Sequence, residues 1–380
     1  MNYKKLEDLK EIRGKRILLR LDFNVPIEKG VILEDFRIQS SLPTLRYLRD
    51  HGAKIIIVSH TESGDKTVVP IIKFLAHQGV YVTFESGPID DALIEKTKNL
   101  AYGGIMLLEN LRRFPGEKAN DPEFSKKLAM LGDAYVNDAF AVSHRAHASV
   151  VGVTAHLPSF AGYLFDREVT ELAKSFQPTH PFLFILGGAK IETKLPLIRK
   201  FMSLADTLFV GGVLANDCLR EMNYEVGMSA VSEKREDLKD VVQNEKVLLP
   251  TDVVVKNTSR VFEVSAREIG KSDAVLDIGK GAIELIRKSA KDAKFIIWNG
   301  PLGYYEGGFT AGTEEVAKII AGSGAYTIVG GGDTIAAISK VNLHEKFGFL
   351  STGGGAMLDY LANETLPAIE ALEQSLIKNP

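Results

Sequence analysis

The sequence predicts an α/β fold made of two doubly wound, parallel-sheet (Rossmann-like) domains. Three observations support this prediction. The chain has 380 residues, which is long for one compact core and suits about two domains. Short and almost continuous apolar runs alternate with helical patterns, as is typical of parallel strands covered by helices on both faces. The runs fall into two sets of about five, so each half of the chain can form its own sheet.

The predicted strands are the apolar runs that end at a glycine or a polar turn. In the first half they cover residues 16–21, 54–58, 81–84, 104–108 and 133–136. In the second half they cover residues 182–186, 207–210, 247–249, 295–298 and 326–329.

Helical patterns lie between these strands. Asp121 followed by Pro122 predicts an N-cap with proline at the first helical position. A leucine stripe at 42–48 predicts another helix, and residues 366–377 predict a final amphipathic one. A polar helix over 166–176 precedes the second set of strands, so we place the link between the domains there.

Composition excludes several classes of protein. The net charge is −3 and the calculated pI is near 6.3, which argues against a protein that coats nucleic acid. The single cysteine, Cys218, excludes an internal disulfide framework and a cysteine-based zinc site. The first ten residues lack an apolar signal core, and no apolar run is long enough for a membrane span. We therefore expect a soluble cytoplasmic protein without nucleic-acid or membrane partners.

Four glycine clusters follow strands of the second half, at residues 187–190, 211–212, 330–334 and 353–355. Glycine lets the backbone approach a ligand, and a helix that begins just beyond adds its positive end, which suits an anion. A single cluster is more often a tight turn. Four clusters at the carboxyl ends of one sheet favour a phosphate site. The chain has no GxxxxGK(S/T) loop and no GxGxxG turn, so a nucleotide would be held by other loops.

Three charged residues beside these clusters are candidates for contacting a polyphosphate. Lys190 and Lys194 stand four apart and share one face if the chain is helical from residue 191 onward. Asp333 follows three glycines, where its carboxylate could hold Mg²⁺ carried by a nucleotide. The alternatives are a solvated lysine pair and, for Asp333, an N-cap of a helix that begins at residue 334.

The first half carries cationic residues near its strand ends, namely Arg20, Arg37, His60, Arg112 and Arg145. Arginine matches carboxylate and phosphate oxygens, so several converging arginines would bind a small, multiply charged anion. Taken singly, each is more often a surface charge with a weak partner. His60 and His144 are equally consistent with ordinary hydrogen-bonded histidines, because no metal-binding spacing is present.

The segment Asp22-Phe23-Asn24-Val25-Pro26 ends the first predicted strand. Asp22 and Asn24 can bond a substrate hydroxyl. A turn made by Asn24 and Pro26 would also explain these residues.

Longer motifs, taken in order, resemble the phosphoglycerate kinase family. They are LLRLDFNVP, FRIQSSLPTLRYL, LLENLRRFPGE, YVNDAFAVSHRAHASVVG, ILGGAKIETK, TDVVV, LDIG, WNGPLGYYE, GGGDT and STGGGAM. The resemblance covers almost the whole chain. It implies two similar-sized domains joined by a hinge with a cleft between them. It also implies glycolytic phosphoryl transfer from 1,3-bisphosphoglycerate to ADP, giving 3-phosphoglycerate and ATP, with Mg²⁺ as the cofactor. The protein is expected to be a monomer whose only partners are these small molecules.

The resemblance also assigns domains. It implies a 3-phosphoglycerate-binding domain over residues 1–165 and a linker helix or hinge over residues 166–181. A nucleotide-binding domain would follow over residues 182–362. The last helix, over residues 363–380, would return to the N-terminal domain.

The site residues implied by the resemblance form three overlapping sets. The substrate set is Asp22, Phe23, Asn24, Arg37, His60, Arg112 and Arg145, with Arg20 nearby. The nucleotide set is Lys194, Gly211, Gly279, Asn299, Glu306, Gly331, Gly332, Asp333 and Thr334, with Asp333 linked to the metal. The catalytic set is Arg37, Lys190, Gly331 and Gly354. Arg37 would reach the transferring phosphoryl group, Lys190 would follow it through the transition state, and Gly354 would lie in a loop that caps the phosphates.

One departure from the family lies in the substrate set. Residues 60–64 read His-Thr-Glu-Ser-Gly where the family has His-Leu-Gly-Arg-Pro, so an arginine that contacts the substrate is absent. Loss of such a charge-assisted contact costs on the order of 1.5–3 kcal/mol of binding. Lys66 and Arg113 are candidates to compensate, and Glu62 would oppose binding if it pointed inward.

Other departures lie in the nucleotide set. Val213 stands where the family often has glycine, Lys280 replaces a proline, and Thr193 replaces an aspartate beside Lys194. We expect Val213 to narrow the base pocket or to change the nucleotide preference. Two alternatives to an active phosphoglycerate kinase remain open. One is a nucleotide-binding protein of the same fold with weakened or lost turnover, and the other is a kinase that acts on a related carboxylate.

Overall fold

The structure is a computed structural model that describes residues 2–62, 66–189 and 191–378. The chain divides into two compact units. Unit 1 comprises Met1–Thr170 together with Asn363–Pro380, and unit 2 comprises Glu171–Ala362.

Unit 1 is built on a parallel sheet. Its strands are β1 (Arg16–Arg20), β2 (Ile27–Glu28), β3 (Val31–Ile32), β4 (Lys54–Val58), β5 (Thr83–Glu85), β6 (Ile105–Leu108), β7 (Ala134–Asn137) and β8 (Ser159–Ala161). The main sheet has the order β5-β6-β4-β1-β7-β8, with all neighbours parallel, and β2 and β3 form a separate antiparallel hairpin. Successive side chains of β1 enter opposite cores, because Ile17 and Leu19 pack in one cluster and Leu18 in another. The sheet is therefore covered on both faces, as the sequence predicts.

Helices connect these strands. They are α1 (Phe36–Asp50), α2 (Val69–His77), α3 (Asp91–Lys98), α4 (Pro115–Lys118), α5 (Pro122–Ala129) and α6 (Tyr163–Ala173). The predicted start of α5 is confirmed, because the Asp121 side chain accepts a hydrogen bond from the backbone N–H of Phe124 at 2.7 Å. Helix α6 contains the boundary between the two units.

Unit 2 contains a second parallel sheet. Its strands are β9 (Phe182–Leu186), β10 (Thr207–Val210), β11 (Val247–Leu248), β12 (Asp252–Lys256), β13 (Val261–Ser265), β14 (Ala274–Ile278), β15 (Phe295–Asn299), β16 (Tyr326–Gly330) and β17 (Phe349–Ser351). The parallel sheet has the order β11-β10-β9-β15-β16-β17, and β13-β12-β14 form an antiparallel sheet.

The remaining helices are α7 (Ile191–Leu204), α8 (Gly212–Glu221), α9 (Lys239–Val242), α10 (Lys280–Asp292), α11 (Ala311–Ala321), α12 (Gly332–Lys340), α13 (Gly355–Asn363) and α14 (Pro367–Lys378). Short 3₁₀ turns occupy Leu6–Asp8, Leu111–Arg113, Phe140–Val142, Gly152–Ala155, Lys174–Phe176 and His344–Lys346. Helix α14 packs within unit 1, where the N–H of Ala368 donates to the Ser143 carbonyl at 3.2 Å and Ser375 Oγ donates to the Leu157 carbonyl at 3.3 Å.

Every strand expected from the sequence is present; β4, β9 and β10 have the predicted ends, and the others differ by at most two residues at an end. The sequence does not predict β8 and β17, each three residues long, which complete the two sheets. It also does not predict the antiparallel sheet, whose strands are only partly buried. Among the residues that the structure describes, none of the helices is both long enough and apolar enough to cross a bilayer.

Candidate active site

The cationic residues of unit 1 gather at the carboxyl edge of its sheet. Arg20 ends β1, His60 follows β4, and Arg112 and Arg145 follow β6 and β7. These strands are neighbours and run parallel, so their carboxyl ends meet at one edge. The topology therefore brings together residues that are far apart in the sequence.

Arg20 is fully buried, and each of its guanidinium nitrogens has a protein partner. Nε donates to Ser149 Oγ at 2.9 Å, Nη1 donates to the Leu21 carbonyl, and Nη2 lies 2.9 Å from His60 Nδ1. Because arginine can only donate, His60 Nδ1 is the acceptor and the imidazole carries its proton on Nε2. Arg20 thus orients His60.

Positive charge accumulates around His60. Burial lowers the pKa of His60 well below its usual value, and Arg20, Arg112, His147 and Arg145 lower it further. Burial and the same three arginines lower the pKa of His147 to about 4. His147 is not among the residues predicted from the sequence, although its position two residues after Arg145 in the HRAHAS segment is a usable signal. An edge that holds so much positive charge suits an anion.

Asp22 connects two of the predicted substrate residues. Its carboxylate lies 3.5 Å from Arg37 Nη1 and 3.6 Å from His60 Nδ1, and it accepts a hydrogen bond from the Asn24 N–H at 3.0 Å. Arg37 Nη1 also donates to the Asn24 carbonyl at 2.8 Å. The structure therefore brings Asp22, Asn24, Arg37 and His60 together.

Phe23 occupies a different environment from its neighbours. Its ring is fully buried in a core of unit 1 with Leu19 and Leu21, and its N–H donates to Ser59 Oγ at 2.9 Å. The alternation of apolar residues at 19, 21 and 23 continues the inward face of β1, and this pattern in the sequence indicates a core side chain at position 23. The Phe23 side chain is therefore part of the core of unit 1.

Arg112 and Arg145 complete the unit 1 cluster. Arg112 Nη1 donates to the carbonyls of Thr61 at 3.2 Å and Glu62 at 2.7 Å, while its buried Nε has no partner in the part of the chain that the structure describes. Burial, followed by the charges of Arg145 and Arg20, lowers the pKa of Arg112. Arg145 is exposed, and its Nε donates to His144 Nε2 at 3.2 Å.

The segment that departs from the family pattern turns its charge outward. The Glu62 side chain is 76% exposed and pairs with Lys66 at 2.7 Å, so it does not add a charge to the cluster. The ammonium of Lys66 is accordingly directed to Glu62, and Arg113 lies 3.6 Å from Glu109. Ser63 and Gly64 lie outside the described residues.

Unit 2 contains a cavity of about 660 Å³. Its apolar lining includes Val213, Val253, Leu276, Leu302 and Tyr304, and its polar lining includes Lys194, Asn216, Asp277, Glu306 and Asp333. A mostly apolar pocket with a few polar groups is typical of a binding site for a small organic ligand. Val213 is among the lining residues.

Lys194 places a buried ammonium in this cavity. It lies on α7 and donates from Nζ to the Gly187 carbonyl at 2.7 Å. Burial lowers its pKa from 10.5 to about 8. A Cβ on Gly188 would lie 2.7 Å from Nζ, so glycine at this position leaves room for the ammonium. Lys190 lies outside the described residues, and the Thr193 side chain is likewise not described.

Asp333 is the second residue of α12 and does not cap the helix. The N-cap position is occupied by Gly331, and no side-chain capping bond is present. The alternative interpretation of Asp333 as an N-cap is therefore wrong. Burial, followed by the charge of Glu306, raises the pKa of Asp333. Gly331 has φ +102°, a conformation that favours glycine. Thr334 is buried, and its Oγ1 has no partner among the described residues.

The cavity lining does not include Gly211, Gly279 or Asn299, but each of them is adjacent in the chain to a lining residue. Gly211 precedes α8, and Gly279 precedes α10. Asn299 ends β15, where its Nδ2 lies 3.5 Å from the Met357 sulfur. Gly354 has φ +50° and precedes α13, and the Lys280 side chain is almost fully exposed.

Comparisons with known proteins agree on one family. The family model described as phosphoglycerate kinase matches residues 6–364. A phosphoglycerate kinase of Dictyoglomus turgidum is 41% identical over 394 aligned residues, which cover 98% of this chain and 100% of the relative. One of Thermosipho africanus is 40% identical over 386 residues, covering 95% of this chain and 96% of the relative.

Solved structures give the same result. Phosphoglycerate kinase from Pyrococcus horikoshii superposes with a TM-score of 0.88 and 31% identity, covering 99% of this chain and 100% of that one. The enzyme from Coxiella burnetii gives a TM-score of 0.81 and 33% identity, covering 98% and 99% of the two chains. None of these matches favours a binding protein without turnover. The chain belongs to the phosphoglycerate kinase family and is a phosphotransferase with a carboxyl group as acceptor.

Proposed function

We propose that this chain catalyses the reversible glycolytic transfer of a phosphoryl group from 1,3-bisphosphoglycerate to ADP, giving 3-phosphoglycerate and ATP. The observation that carries the proposal is the excess of positive charge at the carboxyl edge of the unit 1 sheet. Burial and neighbouring cations lower the pKa values of His60, His147 and Arg112 there. Such an edge is stabilised when a multiply charged anion occupies it.

In this proposal, unit 1 binds 3-phosphoglycerate. His60 donates a hydrogen bond from Nε2 to the phosphate or carboxylate. Positive charge comes from Arg112 and Arg145, since guanidinium groups match these oxygens. Asp22 and Asn24 contact the hydroxyl. Arg37, held by the Asn24 carbonyl, is directed to the transferring phosphoryl group.

The unit 2 cavity binds the nucleotide. Its apolar walls take the base, and Glu306 lies at the ribose. Lys194 and the turn formed by Gly331, Gly332 and Thr334 contact the phosphates. The start of α12 supports this arrangement, because helix N-termini present free N–H groups to anions. Gly211, Gly279 and Asn299 shape the surrounding loops, and Gly354 presents backbone N–H groups to the phosphates.

Asp333 is the residue that would hold Mg²⁺. Burial and Glu306 raise its pKa, which is the electrostatic situation that a cation relieves. The described residues contain no group of three or more acidic, histidine or cysteine side chains suited to a metal, so further oxygens would come from the nucleotide and water. When bound, Mg²⁺ neutralises charge on the phosphate oxygens.

The chain's own contribution to catalysis is positioning and charge stabilisation. Phosphoryl transfer spreads negative charge over the equatorial oxygens of the migrating group, so no covalent enzyme nucleophile is needed. Arg37, Lys190 and the N–H groups of Gly331 and Gly354 would stabilise that charge. The hinge over residues 166–181 and the cleft remain predictions from the sequence. We further propose that the protein acts in the cytoplasm as a monomer.

A coupled assay tests the proposal. The purified protein, with ADP and Mg²⁺, should form ATP from 1,3-bisphosphoglycerate, and the reverse direction should consume ATP with 3-phosphoglycerate. Parallel reactions with other acyl-phosphate products test the acceptor. Folded protein that forms no ATP would refute the proposed activity, and a clear preference for another carboxylate would refute the proposed substrate.

A further inference from the structure

The buried charge of Arg20 is balanced through an intermediate residue. Arg20 is 0% exposed, and no ion pair among the described residues joins it directly to a carboxylate. A buried charge without compensation is strongly unfavourable. The nearly fully buried carboxylate that hydrogen bonds connect to Arg20 is Glu117, which is 1% exposed and lies on α4.

Ser149 connects these two charges. Its Oγ accepts a hydrogen bond from Arg20 Nε at 2.9 Å and donates one to Glu117 Oε1 at 2.6 Å. The N–H of Ser149 donates to Glu117 Oε2 at 3.0 Å, so both carboxylate oxygens are used on the same residue. The Ala148 N–H also donates to the Glu117 carbonyl at 2.9 Å. The direction of each bond is fixed, because the carboxylate only accepts and the guanidinium only donates.

The same chain of bonds continues to the anion site. Arg20 Nη2 meets His60 Nδ1 at 2.9 Å, which leaves the His60 proton on Nε2. A second member of the cationic cluster is next to the same carboxylate, since His147 Nδ1 lies 3.9 Å from Glu117 Oε1. Glu117 is itself nearly fully buried and is connected to two histidines of the site, to His60 through Ser149 and Arg20 and to His147 directly.

We propose that Glu117 is a positioning residue for the anion site: through Ser149 it fixes the Arg20 guanidinium and thereby holds His60 in the tautomer that presents Nε2–H to the substrate. The inference rests on the proposed function, because it concerns how the proposed 3-phosphoglycerate site is held. Its effect belongs to substrate binding, and the nucleotide site lies in the other unit.

Two variants interrupt the chain of bonds at different points. Glu117→Gln keeps the size of the side chain but removes the charge and one acceptor. Ser149→Ala removes the connecting hydroxyl and leaves Glu117 in place. We expect each to raise the KM for 3-phosphoglycerate by about tenfold, with the KM for MgATP and kcat within about threefold of the wild type. The double variant should be about as impaired as one single variant, because both changes break one connection.

A matched control separates positioning from general stability. Asp121→Ala removes the cap of the neighbouring α5, where the Asp121 side chain accepts a hydrogen bond from the N–H of Phe124 at 2.7 Å and, among the described residues, bonds to no member of the cluster. We expect it to lower the denaturation midpoint and to leave the KM for 3-phosphoglycerate unchanged. Nitrogen-15 NMR of the His60 side chain in the unliganded proteins adds a readout that stability does not move. The Nε2-protonated form should dominate in the wild type and in Asp121→Ala, and should be depleted in both cluster variants.

The outcomes are distinguishable. A wild type that forms no ATP, together with loss of the His60 tautomer in the variants, would refute the proposed activity and leave the positioning role intact. The positioning role would be overturned if the wild type is active and a folded Ser149→Ala protein keeps the wild-type KM for 3-phosphoglycerate or the wild-type His60 tautomer. Ser149→Ala alone decides the question if Glu117→Gln does not fold.

Discussion

Replacing Lys194 by methionine should stabilise the unliganded protein and weaken nucleotide binding. Lys194 is 9% exposed, and burial lowers the pKa of its ammonium from 10.5 to about 8. Each pKa unit corresponds to about 1.4 kcal/mol, so keeping this charge in the folded protein at pH 7 costs roughly 3 kcal/mol. Methionine has a similar length without the charge and adapts readily to a buried site.

The loss of a hydrogen bond offsets part of this gain in the free energy of unfolding. Lys194→Met also removes the bond from Nζ to the Gly187 carbonyl at 2.7 Å. A hydrogen bond with a charged donor contributes about 1.5–3 kcal/mol. The net expectation at pH 7 is therefore an increase in the free energy of unfolding of about 1 kcal/mol.

The pH dependence of stability provides a second signature of the same charge. Between pH 8 and 10.5, the folded wild type binds fewer protons at Lys194 than the unfolded chain does. Its free energy of unfolding should therefore rise with pH through this interval, whereas Lys194→Met lacks this contribution. Because the wild type gains up to about 3 kcal/mol over this interval, the variant's advantage of about 1 kcal/mol should vanish near pH 9 and reverse toward pH 10.5.

Urea denaturation at pH 7 and pH 9.5, without ligand, measures the stability, and calorimetry with ADP measures the affinity. Lys200→Met is a matched control on the same helix, α7. The Lys200 ammonium donates to the Ala362 carbonyl at 3.1 Å and lies 4.6 Å from the centre of the Phe176 ring. We expect this control to lower stability without changing ADP affinity. A Lys194→Met protein that is less stable than the wild type by more than about 1 kcal/mol at pH 7 would contradict the reasoning.

Three further predictions concern unit 2. Gly212→Ala should lower the free energy of unfolding by at least about 1 kcal/mol in urea denaturation and weaken ADP binding. Gly212 has φ +62°, and an added Cβ would lie 2.7 Å from the Gly188 nitrogen. Unchanged stability would contradict this reasoning. Asp333→Asn should raise the Mg²⁺ concentration needed for half-maximal activity and should stabilise the protein without ligand. The reason for the second effect is that burial and Glu306 raise the pKa of the carboxyl group that the variant removes. An unchanged Mg²⁺ requirement would show that Asp333 does not hold the metal. Burial raises the pKa of Asp277 to about 6 from 3.8, so the folded state binds more protons than the unfolded chain in that interval. The free energy of unfolding should accordingly fall by up to about 3 kcal/mol more in the wild type than in Asp277→Asn between pH 4 and pH 6.5, and parallel urea titrations check it.

Hydrophobic periodicity was sufficient to predict most of the fold. Buried parallel strands such as β4 and β9 are continuous apolar runs because both of their faces are covered, and such runs are visible in a single sequence. The short strands β8 and β17 were not predictable in this way, because three residues are too few to show a period. They form where an existing sheet edge offers hydrogen-bond partners, which is a tertiary effect.

The candidate site was only partly predictable from the sequence. Motifs are visible along the chain, whereas contacts between side chains depend on the fold. Motif order identified Arg20, His60 and Arg112, and strand direction brought them to one edge. The sequence did not indicate that Phe23 packs in the core, that Glu62 pairs with Lys66, or that Asp333 does not cap its helix.

The sequence alone determined the family, the two-sheet architecture and the chemical types of the side chains near each strand end, because apolar periodicity and motif order are properties of the chain itself. Only the tertiary structure decided which groups meet. The connection of Glu117 through Ser149 to Arg20 joins residues up to 129 positions apart, and burial sets the pKa values of Lys194 and His60. Hydrogen bonding and desolvation depend on distance and solvent exposure in the folded chain, and neither quantity exists until the sheets have formed.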